Sequence, residues 1–120
     1  MLSVLVVEDD VDLQFLYNAA LSQRGYQVMT AETAGSAVHL LTGRPFDVVV
    51  LDLNLPDAHG SVVVDYIEQN NLHPLERVIV VTANQLWAGS MSERGLNHVY
   101  VKPISMMRLV EIIQGLTLHD

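Results

Sequence analysis

Short apolar runs rich in β-branched residues alternate along this chain with longer stretches whose apolar positions recur every three to four residues. The short runs, Ser3–Val7, Gln27–Thr30, Val48–Leu51, Val78–Val81 and His98–Val101, predict five strands. Between them Leu13, Leu16, Ala20 and Leu21 form one helical stripe, and Ala34, Ala37, Leu40 and Leu41 a second. Val62, Val63, Tyr66 and Ile67 form a third, and Leu109, Ile112, Ile113 and Leu116 another. The segment Gln85–Arg94 is the weakest helix of the set, with Gly89 in its middle and few aliphatic residues. Arg24-Gly25, Gly43-Arg44-Pro45, Asn70-Asn71 and Gly95 fall where helices should stop, and Thr33 and Ser105 where they should start. Five β/α units predict a parallel sheet with right-handed crossovers and helices on both faces. In such sheets ligands bind beyond the carboxyl ends of the strands.

Charge is concentrated at that edge. Val4-Leu5-Val6-Val7 runs into Glu8-Asp9-Asp10, Val48-Val49-Val50-Leu51 runs into Asp52, and Val99-Tyr100-Val101 ends at Lys102, the only lysine. Charges are costly inside a sheet and easily satisfied at its end, so the three runs predict one shared polar site.

Composition narrows the class. A length of 120 residues with 50% hydrophobic content fits one domain over residues 1–120. The absence of Cys excludes disulfides and thiolate metal sites. No apolar stretch approaches the roughly 20 residues of a spanning helix, and the N-terminus lacks a signal-peptide pattern. A soluble cytoplasmic protein without membrane contact is therefore expected. Net charge is −8, and Arg24, Arg44, Arg77, Arg94 and Arg108 are scattered singly. No basic stripe is available to neutralise phosphates, so direct nucleic-acid binding is not expected. His39, His59, His73, His98 and His119 lack metal-ligand spacing and read as surface residues. Trp87 reads equally well as a lid on the core or as an exposed anchor, and Met106 and Met107 as packing at a helix start.

If the first and third strands are neighbours, Glu8, Asp9 and Asp52 converge. Two unit charges 4 Å apart repel by roughly 4 kcal/mol at an effective dielectric near 20, so three carboxylates require a countercharge. A hard divalent cation supplies it. Mg²⁺ suits the set because it keeps several waters and takes few carboxylates together with phosphate oxygens. Carboxylates, a divalent cation, a lysine and the hydroxyl of Thr82 are parts for phosphoryl transfer, with a carboxylate as nucleophile. Asp52 suits that role because it stands alone before the loop Leu53–Gly60.

Four motifs then stand in order: Val6-Val7-Glu8-Asp9-Asp10, Val50-Leu51-Asp52-Leu53-Asn54-Leu55-Pro56-Asp57 with Gly60, Val80-Val81-Thr82-Ala83, and Lys102-Pro103. Over essentially its whole length the chain resembles the receiver domains of two-component response regulators. The resemblance implies a flavodoxin-like sheet of order 2-1-3-4-5. It also implies that Asp52 accepts phosphate from a histidine kinase or phosphotransfer protein. Glu8, Asp9 and Asp52 would hold Mg²⁺ with the backbone carbonyl of Asn54. Thr82 and Lys102 would contact the phosphoryl group, Ala83 would keep the site open, and the Lys102-Pro103 bond would be cis. The face made by the fourth and fifth helices and the fifth strand would meet an output domain, a partner protein or, on phosphorylation, a second copy.

One position departs from the family pattern. Phe or Tyr usually stands three residues before the lysine, and here that position is Val99. Tyr100 follows, and strand alternation puts it on the opposite face. The stretch from Thr82 to Lys102 is slightly short, which with Gly89 predicts a short or irregular fourth helix. A receiver-like interaction module working without regulated phosphorylation is the alternative function. An enzyme is not expected: a metal-dependent phosphatase of the haloacid-dehalogenase kind needs a second Asp two residues after the nucleophile, where Asn54 stands, and a cap domain. A flavin site would need Gly, Ser and Thr in the first loop, which is acidic.

Overall fold

A computed structural model describes residues 1–70 and 75–118. His73, His119 and the Asn71 half of the third helix stop lie outside the described residues. Five strands, β1 (Ser3–Val7), β2 (Gln27–Ala31), β3 (Val48–Asp52), β4 (Val78–Thr82) and β5 (His98–Val101), pair in parallel in the order 2-1-3-4-5. The helices are α1 (Val11–Ser22), α2 (Ala34–Gly43), α3 (Ser61–Gln69), α4 (Gln85–Glu93) and α5 (Met106–Leu116), with a 3₁₀ turn at Leu75–Arg77.

β1, β3 and β4 are buried along their full length. Their side chains alternate strictly between two apolar layers, as the two-residue period of a strand requires. Leu5, Val7, Val49, Leu51, Val78 and Val80 face α2, α3 and α4, where Ala37, Leu41, Val63, Ile67 and Met91 complete the layer. Val4, Val6, Val48, Val50, Ile79 and Val81 face Tyr17, Leu21, Leu109 and Ile113 of α1 and α5.

Helix starts are set by side chains. Asp10 accepts from the Asp12 and Leu13 N–H groups at the start of α1, Thr33 and Ser36 form a capping box on α2, and Ser105 accepts from Arg108 N–H on α5. α4 is a regular nine-residue helix despite Gly89, because Asn84 accepts from the Leu86 and Trp87 N–H groups and Ala88 and Met91 are buried.

Two stripes differ in phase from the sequence pattern. On α1 the buried line runs through Tyr17 and Leu21, while Leu16 is 50% exposed and Phe15 72%. The apolar body of Tyr17 occupies the inward position that an aliphatic-only pattern assigns to Leu16. On α3 Val63, Val64 and Ile67 are buried and Val62 faces outward, since three consecutive valines leave the helical phase undefined. Met106 packs against the α1–α5 layer, whereas Met107 is exposed.

Candidate functional site

Three strand ends deliver the polar residues. β1 and β3 are neighbours, with Val7 in register with Leu51, so the residues that follow them stand side by side. Glu8, Asp9 and Asp52 each place a carboxylate oxygen within 4.8 Å of the others. Glu8 and Asp52 are buried and Asp9 is exposed, so the trio has a closed floor and an open side.

Each buried carboxylate is held in place. Asp52 accepts from Asn54 N–H at 2.9 Å on Oδ1 and from the Lys102 ammonium at 2.9 Å on Oδ2. Glu8 accepts from Lys102 at 3.3 Å and from Asp10 N–H at 3.2 Å, while its carbonyl accepts from the Gln14 amide. Lys102 reaches both because its own N–H donates to Thr82 carbonyl at 2.8 Å, extending the β4–β5 pairing past the strand end. The Lys102-Pro103 bond that follows is cis.

Electrostatics follow from burial and proximity. Burial lifts the Glu8 carboxyl above the ordinary range, and the Asp52 charge adds to the lift against the opposing Asp10 N–H and Lys102. Burial alone would depress Lys102, but its hydrogen bond to Asp52 and the charges of Asp52 and Glu8 prevail and hold the ammonium above its usual value. Burial, aided by the same two carboxylates, pushes the Tyr17 phenol up. The donor set is all oxygen and hard, and its net charge with Lys102 is −2 (three carboxylates against one ammonium). That set fits a hard divalent cation with room for further oxygen ligands.

Thr82 is fully buried at the end of β4, and its Oγ1 accepts from Asn84 N–H at 3.1 Å. Ala83 is exposed beside it. Asn54, Thr82, Ala83, Asn84 and Trp87 line an open cavity of about 300 Å³. Val99 packs among the α2–α3–α4 layer, and Tyr100 packs in the other. The β4–β5 register runs without interruption from Ile79–His98 to Thr82–Val101, so no bulge returns Tyr100 to the first face.

The loop after Asp52 is shaped by two residues. At Gly60 an added Cβ would stand 2.5 Å from the Asp52 carbonyl oxygen and 2.7 Å from Leu53 Cα, so only glycine lets the loop close on the end of β3. Asp57 reaches across to α2, where its two oxygens accept from Ala34 and Gly35 N–H at 2.8 and 2.9 Å. Those bonds, Gly35 first, hold its carboxyl below the usual range. The contact spans more than twenty residues and has no local sequence signal. The same is true of Trp87, whose indole meets the His59 ring edge-on, with centroids 4.4 Å apart. Asn84 does carry a sequence signal, being an N-cap residue type immediately before a helical segment.

Comparison with known proteins agrees with this geometry. The family model for the response regulator receiver domain matches residues 4–114. The response regulator protein PilR of Pseudomonas aeruginosa is 30% identical over 115 residues, which is 91% of this chain and 24% of PilR. The chain thus spans about a quarter of that relative's length. Among solved structures, the beryllofluoride-activated NtrC4 receiver domain dimer superposes with a TM-score of 0.84 at 31% identity, covering 97% of this chain and 96% of that one. The response regulator TrrA of Thermotoga maritima, solved with Mg²⁺ and beryllofluoride, gives a TM-score of 0.81 at 25% identity, covering 97% and 99%. No helix among the described residues is long and apolar enough to cross a membrane.

Proposed function

The chain belongs to the response regulator receiver domain family, and on that premise we propose that it is a phosphorylation-controlled switch with Asp52 as acceptor. What supports this most is the convergence on Asp52 of two further carboxylates and the single lysine from three different strand ends. Glu8, Asp9, Asp52 and the carbonyl of Asn54 would hold Mg²⁺. The ion supplies positive charge opposite the phosphoryl oxygens.

The chain's own groups do the rest. An Asp52 oxygen attacks phosphorus as the P–N bond of a donor phosphohistidine breaks, and the electron pair leaves with the imidazole, which takes up a proton. Lys102 moves from the Asp52 carboxylate to a phosphoryl oxygen, and the Thr82 hydroxyl donates to another. Ala83, without a side chain beyond Cβ, leaves the approach open. Phosphate arrives from a histidine kinase or phosphotransfer protein in the cytoplasm, and the result is read on α4, β5 and α5 by an output domain, a partner or a second copy. The NtrC4 receiver, solved as an activated dimer, supports the last. The domain is a switch that is itself modified, not an enzyme acting on an external substrate.

The experiment is incubation with phosphoramidate and Mg²⁺, followed by intact mass. One phosphoryl group is expected, lost in Asp52→Asn and in the presence of EDTA. No gain, or an equal gain in Asp52→Asn, overturns the proposal. Val99 in place of an aromatic favours the second reading, an interaction module without regulated phosphorylation. Partner affinity identical for phosphorylated, unmodified and Asp52→Asn chains would select it.

A further inference from the structure

Val99 has no ring to swing between positions, yet an aromatic side chain does border the site. Trp87, the only tryptophan, lies half-buried in the first turn of α4 and walls the cavity whose other sides include Asn54 and Thr82. Two series of contacts leave the acceptor site from different strands and meet at Trp87, one at its backbone N–H and the other at its indole.

From β4, Thr82 Oγ1 accepts from Asn84 N–H at 3.1 Å, and Asn84 Oδ1 accepts in turn from the N–H groups of Leu86 and Trp87 at 3.0 and 3.1 Å. From β3, Asp52 Oδ1 accepts from Asn54 N–H at 2.9 Å, and Asn54 forms an antiparallel bridge with His59. The His59 ring stands edge-on to Trp87 at 82°. His59 is fixed in that pose by Ser61, whose hydroxyl lies 2.8 Å from Nδ1.

The Thr82 side chain is β-branched and fully buried, so its hydroxyl moves by changing rotamer rather than by drifting. Turning it toward an anion on Asp52 gives up the bond from Asn84 N–H, the residue whose side chain holds the first turn of α4. A group attached to Asp52 likewise alters the carboxylate on which Asn54 N–H is anchored.

We propose that Trp87 carries the state of Asp52 to the surface of α4, with Asn84 linking it to Thr82 and His59 linking it to the acceptor loop. The relay rests on the phosphoryl switch proposed above. Its output is the first turn of α4, where Leu86 is 82% exposed, and it needs no aromatic on β5.

A single tryptophan makes the test direct. The full chain is treated with phosphoramidate in Mg²⁺, and intact mass and intrinsic fluorescence are followed in the same samples against Mg²⁺ alone. The emission of the unaltered protein is expected to shift in step with the phosphoryl gain. Asn84→Ala should gain phosphate and lose the shift, Asn84→Ser should recover it because a serine oxygen again caps α4, and His59→Ala should reduce it. Phosphate gained with no change in emission overturns the relay, as does a shift in Asn84→Ala equal to that of the unaltered protein. A chain that gains no phosphate overturns the switch itself, and the relay with it.

Discussion

Lys102 sets one ammonium 2.9 Å from Asp52 and 3.3 Å from Glu8, and without metal it is the cation that faces both buried side chains. Lys102→Ala in metal-free buffer should therefore lower unfolding free energy by about 1–3 kcal/mol, the cost of leaving partly buried charge without its partner. Mg²⁺ should then raise the Tm of the variant by more than it raises that of the unaltered protein, since the cation takes over the same compensation. Equal increments would show that Lys102 and the metal do not share the site. Asp57 acts in the same currency at a distance. Its carboxyl is held low by the α2 N–H groups, so the stability it contributes is present above the unfolded value of 3.8 and is lost as pH falls through the lower folded value. Asp57→Ala should thus lower Tm at neutral pH, with the gap closing as the pH drops below 3.8; thermal melts across that range check it. Charged residues at strand ends were legible in the sequence because each follows a buried run. Asp57 was not, because its partners come from another element.

At the level of elements, the strands could be read almost to the residue, since β1, β3 and β4 are unbroken apolar runs that no amphipathic helix shares. Helical phase was harder. Tyr17 and the valine run 62–64 required the tertiary contacts to decide which side turned inward. α4 is short, as its sequence predicts, but regular where Gly89 predicts otherwise: it is held by the Asn84 cap, by the buried Ala88 and Met91, and by Arg94, whose guanidinium reaches Asp65 at 2.6 Å and Glu68 at 3.1 Å on α3. Gly89 contributes nothing to that packing, as a Cβ there would meet no atom within 4 Å. Gly89→Ala should therefore stabilise the protein by about 0.5–1 kcal/mol, raising the urea midpoint without changing its slope. A loss of stability would mean that the α4 backbone needs glycine there.

Over the whole molecule, the order 2-1-3-4-5 places β3 at the centre, with β1 and β4 beside it, and each of these three strands serves both apolar layers. Leu5 and Ile79 are fully buried on opposite faces. Each truncation to Ala should cost about 2–5 kcal/mol, a large share of the ~5–15 kcal/mol typical of a domain. Because the two sites share no layer, the costs should add in the double variant, measured by urea unfolding; a marked excess would reveal coupling through the strands. The partition has a mechanical corollary. A sheet packed on both sides behaves as a bulkhead with a compartment on each side, α2, α3 and α4 in one and α1 and α5 in the other, and β1, β3 and β4 are the shared wall. A displacement of α4 against that wall therefore reaches the α5 side only through residues of the strands themselves, whose alternate side chains stand in both compartments.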